Sequence, residues 1–174
     1  MKFSKIAIIA LILAAISVAI VIGGTSDKKE VTSEKFSWNK YDEGLAMASK
    51  QNKPLMVDFY TDWCGYCKKL DKETYSDPAV ADYIKTHFIA VKVNAESKEP
   101  FNLPTGQMTG TTLARSFGVN GYPAIWFLKP NGERINYYPG YAPPDKFIIV
   151  LKYIGDGIYK TQSWKDYSAK YGDK

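Results

Sequence analysis

Leu55-Met56-Val57-Asp58-Phe59-Tyr60-Thr61, followed directly by Asp62-Trp63-Cys64-Gly65-Tyr66-Cys67-Lys68, is the stretch on which the fold turns. Its first seven residues form a near-continuous apolar run rich in Val, Phe and Tyr, the pattern of a strand covered on both faces in a parallel or mixed sheet. A carboxylate in the middle of such a strand is costly to bury, so Asp58 needs a chemical reason to be there. The second half holds the only two cysteines of the 174-residue chain, three positions apart at a strand-to-helix junction.

Two cysteines at this spacing close a small-ring disulfide when the first lies just before a helix and the second in its first turn. The helix N-terminus carries partial positive charge and unpaired N–H groups, so the Cys64 sulfur is favoured there as thiolate, with Cys67 the more enclosed partner. Cys64 then attacks a substrate disulfide and Cys67 resolves the mixed disulfide. Two other readings compete. A zinc half-site shares the spacing, but structural zinc wants four ligands, and the chain offers no third cysteine and only His87. A passive disulfide would close a loop too short to contribute much entropy.

Outward from this stretch the pattern alternates. Asp42 to Gln51 reads as a short helix broken at Asn52-Lys53-Pro54. After the cysteines, Lys68 to Thr74 continues as helix, and Ser76-Asp77-Pro78 opens another through about Thr86. Phe88 to Asn94 is a second strand, and 95–110, with two prolines and two glycines, is a long loop or insertion. A short helix over Thr111 to Phe117 precedes a strand over Tyr122 to Leu128, a turn at Pro130-Asn131-Gly132-Glu133 and an antiparallel partner over Arg134 to Tyr138. Phe147, Ile148, Leu151 and Ile154 recur at helical spacing behind Pro143-Pro144, and Ser163-Trp164-Lys165-Asp166 is a capping box for one more helix.

The N-terminus is different in kind. Lys2 and Lys5 precede a 17-residue uncharged run, Ile6 to Ile22, on the border between a membrane anchor and a secretory signal with a small-x-small site at Ser17-Val18-Ala19. Either way the positive-inside bias sends the remainder outward. The expected organisation is 1–24 signal anchor or signal peptide, 25–35 flexible tether, 36–157 folded domain and 158–174 helical tail. The net charge is +5, falling to +3 without Lys2 and Lys5, and the lysines are interspersed with acids. That is a solvated surface and not a nucleic-acid footprint, which needs basic residues gathered on one face.

The run from Val57 to Lys68, with Gly121-Tyr122-Pro123-Ala124 some sixty residues later, resembles the thioredoxin superfamily. The stretch from Lys53 to Pro78 looks particularly like the C-terminal periplasmic domain of the DsbD thiol:disulfide interchange proteins. Pro139-Gly140-Tyr141, Pro143-Pro144 and the tail near Ser163-Trp164 are similar to small periplasmic thioredoxins of the Sox type. The resemblance covers about residues 38 to 155 and implies an α/β thioredoxin fold, a central mixed sheet flanked by helices, here preceded by an N-terminal hydrophobic helix. It also implies roles. Asp58 falls where thioredoxins keep a buried carboxylate that exchanges a proton with the second cysteine, against the alternative of a surface acid on an edge strand. Pro123 matches the family's cis-proline, against a trans proline at a strand mouth. Asp71 resembles a second acid of the interchange proteins, although an exposed helix acid beside Lys68 and Lys72 explains it equally. Trp63, Gly65, Tyr66, Tyr122 and Gly140 would line a shallow substrate groove.

The chain departs from thioredoxin at Tyr66, which stands where that family has proline, and no histidine lies between the cysteines. Both point to a reductant or relay over an oxidase. The resulting expectation is an extracytoplasmic, membrane-anchored or exported thiol:disulfide oxidoreductase acting through Cys64 and Cys67. Its partners would be protein disulfide substrates and a membrane or thioredoxin-type electron donor, with no cofactor, no metal, no nucleic acid and a monomeric state. A redox-inactive binding or chaperone module using the same groove is the rival, and a peroxide-reducing enzyme is a weaker third.

Overall fold

The computed structural model describes residues 36–171. The expected N-terminal hydrophobic helix and the 25–35 tether lie outside the described residues, and among those described no helix is long and apolar enough to cross a membrane. The first element, helix α1 (Tyr41–Gln51), closes on Asn52 in the left-handed conformation. It lies so close to the sheet that a Cβ at Gly44 would stand 2.2 Å from a Val91 methyl carbon, so only glycine permits this approach.

Strand β1 (Leu55–Tyr60) leads into α2, whose α-helical part (Gly65–Lys69) runs on as a π-helical turn (Leu70–Thr74). The Tyr75 N–H donates to the Leu70 carbonyl at 2.9 Å, five residues back. One extra residue in a turn rotates the downstream chain by about 100° relative to a continued α-helix, and Leu70, Thr74 and Tyr75 all face inward. Thr74 adds a buried hydrogen bond to the Ala142 carbonyl at 2.6 Å. Helix α3 (Pro78–His87) begins at Asp77, whose carboxylate accepts from the N–H groups of Ala79 and Val80, with Pro78 preset for the first turn.

Strand β2 (Ile89–Asn94) pairs in parallel with β1. The stretch 95–110, expected as a long loop, instead carries a hairpin of β3 (Pro100–Leu103) and β4 (Gly106–Thr109). It is pinned to α1: Phe101 packs edge-on against Tyr41 at 6.1 Å, and the Asn102 N–H donates to the Asp42 carboxylate at 2.9 Å. Four-residue strands offer too few alternations for a period of two to show in sequence. Thr109 then caps helix α4 (Gly110–Ser116) in a reciprocal pair with Thr112.

Strand β5 (Ala124–Leu128) starts two residues later than the sequence pattern suggests, since Pro123 has no N–H to give to the ladder. It runs antiparallel to both β1 and β6 (Arg134–Pro139), and the sheet order is β2-β1-β5-β6. Helix α5 (Pro144–Gly155) buries Phe147, Val150, Leu151 and Ile154, and a short 3-10 turn (Ile158–Lys160) leads to α6 (Trp164–Tyr171). The Asp166 N–H donates to the Ser163 hydroxyl at 3.2 Å at the start of α6, and Tyr167 is buried against Tyr153.

This central mixed sheet flanked by helices is the thioredoxin fold. Its two faces carry separate cores. Leu55, Val57 and Phe59 pack with Tyr41, Ala48, Leu113 and Phe117 on one side. On the other, Met56 packs with Leu70, Tyr75, Val80, Phe147 and Leu151. Side chains alternate along a strand, so Asp58 falls on this second side, beneath α2.

Candidate active site

Cys64 is the N-cap of α2 and is joined to Cys67 by a disulfide with an S–S distance of 2.06 Å. The Cys67 backbone N–H donates to the Cys64 sulfur at 3.0 Å. An N-terminal helix N–H aimed at this sulfur, together with the helix dipole, favours negative charge on Cys64 once the bond is reduced. Exposure hardly separates the two cysteines, at 4% for Cys64 and 3% for Cys67, so the expected greater enclosure of Cys67 is not seen. Position relative to the helix end, not accessibility, is what distinguishes them.

Asp58 is 1% exposed, on an interior strand of the sheet and not on an edge. Neither of its carboxyl oxygens accepts a hydrogen bond of standard geometry from the described residues. Burial, above all, pushes its pKa up to about 7; the Lys92 ammonium pulls it down, the Asp71 charge pushes it up, and the nearby Tyr75 hydroxyl lowers it. Lys92 sits opposite Asp58 in the β1–β2 register, with its Nζ 3.9 Å from the carboxylate.

The same ammonium makes a close ion pair with Asp71, a contact with β2 that neither reading of Asp71, as a second acid or as an exposed helix acid beside Lys68 and Lys72, included. Asp71 lies one helical turn beyond Cys67, and this links the cysteine helix through Lys92 to Asp58. Lys92 is itself enclosed by aromatic rings, with centroids 5.0 Å (Trp38), 5.1 Å (Tyr60) and 5.9 Å (Tyr75) from its Nζ. Ring faces attract a cation, and these three rings surround a lysine side chain that is only 16% exposed. The sequence alone does not single out Lys92. Its only signal is a lone charge in Ile89-Ala90-Val91-Lys92-Val93-Asn94, and its partner depends on a strand register that a sequence does not display.

The Tyr122–Pro123 peptide bond is cis, and Pro123 is buried. Because β5 runs antiparallel to β1 with Ala124 opposite Phe59, Pro123 arrives at the end of β1 from which the cysteines depart. Tyr122 meets Trp63 edge-on at 5.9 Å, and Trp63 donates its indole N–H to Glu96 at 3.0 Å. Gly140, in the left-handed region at φ +80°, donates its N–H to the Pro123 carbonyl at 2.8 Å. Tyr66 lies 6.4 Å from Tyr141, whose hydroxyl donates to Glu73 at 2.6 Å. Trp63 and Tyr66 are the large apolar side chains most exposed to solvent among the described residues, at 67% and 63%. Gly65 occupies the first helical position between them, with open space around its Cα. Glu96 and Tyr141 are additions to the site that residue type alone did not single out.

A cysteine pair on a helix start, a buried acid in the strand that leads into it and a cis-proline at the same end of that strand, on this sheet order, are one arrangement. The family model of the thioredoxin-like domain matches residues 41–155. The chain belongs to the thioredoxin-like family. It is 30% identical over 130 residues to the thiol:disulfide interchange protein DsbD of Haemophilus influenzae, covering 72% of this chain and 21% of that protein. Against DsbD of Vibrio vulnificus it is 34% identical over 92 residues, 53% of this chain and 14% of that protein. The chain thus spans about a fifth or less of the length of these relatives. A thioredoxin-fold protein from Helicobacter pylori superposes with a TM-score of 0.60 at 30% identity, over 70% of this chain and 81% of that one.

Proposed function

We propose that this thioredoxin-like chain is a thiol:disulfide oxidoreductase that reduces or relays protein disulfides outside the cytoplasm. The observation that carries the reading is the Cys64–Cys67 disulfide closed across the first turn of α2, with the buried Asp58 carboxyl, its pKa pushed up to about 7, in the strand that leads into that helix. In the reduced protein, the Cys64 thiolate attacks one sulfur of a substrate disulfide. A Cys64–substrate S–S bond forms, the substrate S–S bond breaks, and the first substrate thiolate takes a proton from water. Cys67 then passes its thiol proton to the Asp58 carboxylate and attacks the Cys64 sulfur. The Cys64–Cys67 bond forms, and the second substrate thiolate leaves with the proton that Asp58 returns. Two electrons have moved from the protein dithiol to the substrate.

A dithiol donor, membrane-bound or of thioredoxin type, must return those electrons, and the activity of the DsbD relatives supports a relay of this kind. The exposed Trp63 and Tyr66, with Tyr122, Gly65 and Gly140, form the surface on which an extended substrate segment lies, and Pro123 keeps the neighbouring backbone in place for it. Location outside the cytoplasm, by an anchor or an exported form, rests on the two lysines before the 17-residue apolar run. Within that reading the organisation is 1–24 address, 25–35 tether, 36–157 catalytic domain and 158–174 tail. Dithiothreitol-driven insulin reduction by the full chain in detergent tests the activity: turnover is expected, and Cys64→Ser should lower it at least about a hundredfold, since no other thiolate can replace the attacking one. Equal activity in Cys64→Ser overturns the proposal.

A further inference from the structure

Tyr75 carries a feature that the dithiol–disulfide exchange leaves without a use. Its ring is fully buried, packed edge-on against Trp38 at 5.1 Å, Phe147 at 5.8 Å and Phe36 at 6.1 Å, and that packing would be served as well by phenylalanine. The hydroxyl makes no hydrogen bond of standard geometry with the described residues, and neither do the two oxygens of Asp58, yet both side chains gather at the Lys92 ammonium, whose Nζ is 3.9 Å from the Asp58 carboxylate and 5.9 Å from the Tyr75 ring centroid. A buried hydroxyl costs free energy unless it is paired, so the polar atom at this position needs a role that the aromatic ring does not supply.

The neighbourhood of Asp58 shows what that role is. Lys92 approaches from β2, Asp71 and Tyr75 from the α2 segment, and Tyr60 from β1 itself. An ammonium has three donors and no acceptor, so Lys92 can serve the carboxylate but cannot accept a hydrogen bond from the protonated acid. Asp71 is engaged with Lys92. A phenolic hydroxyl both donates and accepts. Burial first, then the charges of Asp58 and Asp71, push the Tyr75 pKa well up, so it keeps its proton and stays able to donate at any pH at which the protein works.

We propose that Tyr75 is a positioning residue for Asp58: its hydroxyl donates to the carboxylate and accepts from the carboxylic acid, holding the group in place while it gains and loses a proton. The Asp58 proton comes from Cys67 and goes to the leaving thiolate, so Tyr75 exchanges no atom with substrate and acts only through Asp58. This rests on the proton-transfer role proposed for Asp58 in the exchange reaction.

The test uses the full chain in detergent, in the disulfide form, where the cysteines do not titrate. Asp58 carboxyl carbon shifts are measured by NMR against pH in the wild type and in Tyr75→Phe. Both bonds are lost in the variant, and the one to the charged carboxylate is the stronger, so the midpoint is expected to move up, by up to about one pH unit, and the acid limb of insulin reduction should move with it. An unchanged midpoint in a folded variant overturns the inference. Should Tyr75→Phe fail to fold, the hydroxyl-bearing ring carbon of Tyr75 in the wild type decides: its shift should track the Asp58 midpoint, and a flat shift overturns the proposal. Failure of the oxidoreductase reading looks different, since the wild type itself would then leave insulin unreduced while the titrations remained measurable.

Discussion

Leu55, Val57 and Phe59 point from β1 into a layer of aliphatic and aromatic side chains, whereas Asp58, on the same strand, points the other way toward Lys92, Asp71 and the Tyr75 hydroxyl. Asp58 itself is as closed to water as its strand neighbours, at 1% against 0% for Val57 and Phe59. The first face gains from closure because each of its side chains prefers a dry environment. The second loses, because desolvation is what raises the Asp58 pKa and a lysine with its aromatic enclosure only partly compensates. One strand therefore holds the fold together with its odd-numbered residues and gives up stability for chemistry with an even-numbered one. The cysteines start the helical segment whose later residues, Leu70 and Tyr75, cover that face.

The difference can be broken at either face. Phe59→Ala removes a fully buried ring that packs 5.2 Å from Phe117, and should lower the unfolding free energy by about 3–5 kcal/mol in urea titrations. Asp58→Asn should act in the opposite sense, and only at higher pH. The folded pKa of Asp58, at about 7, lies above its ordinary value of 3.8. Between those two values the native state binds the proton that the unfolded chain has released, so wild-type stability falls as pH rises through this window. Asparagine does not titrate. Relative to wild type, the variant should gain on the order of 3–4 kcal/mol between pH 4 and pH 8, while losing insulin reduction at neutral pH. A pH-independent difference would mean that Asp58 carries no shifted charge.

Lys92→Met gives a smaller effect. Without the ammonium the carboxylate loses its main source of stabilisation, so the Asp58 pKa moves further up and the base form is reached only at higher pH. Insulin reduction at pH 7 should fall by up to about tenfold and recover as the pH is raised, the mark of a shifted titration rather than of lost structure. No recovery at alkaline pH would assign Lys92 a purely structural part.

The order of the four strands of the central sheet and of the helices, the caps at Asp77 and Ser163, and the costly acid in β1 are legible in the chain, because each is written in local residue types. The features that are not legible depend on register and on contacts across elements. Lys92 reads as an ordinary exposed charge until β2 is laid beside β1, and Asp71 reads as a partner of its helix neighbours until Lys92 reaches it. Tyr75 reads as one more core aromatic, since nothing in a sequence tells a needed hydroxyl from an incidental one. The hairpin in 95–110 is hidden because its strands are too short to establish a period, although Phe101 and Leu103 alternate correctly.

The division of labour between the cysteines is tested most directly by trapping. The full chain carrying Cys67→Ala, reduced and mixed with a disulfide-containing peptide, should accumulate a covalent adduct that mass spectrometry places on Cys64. Cys64→Ala, which keeps Cys67 alone, should accumulate little at neutral pH. A stable adduct on Cys67 of the second variant, or none on Cys64 of the first, would contradict the assignment of Cys64 as the attacking sulfur.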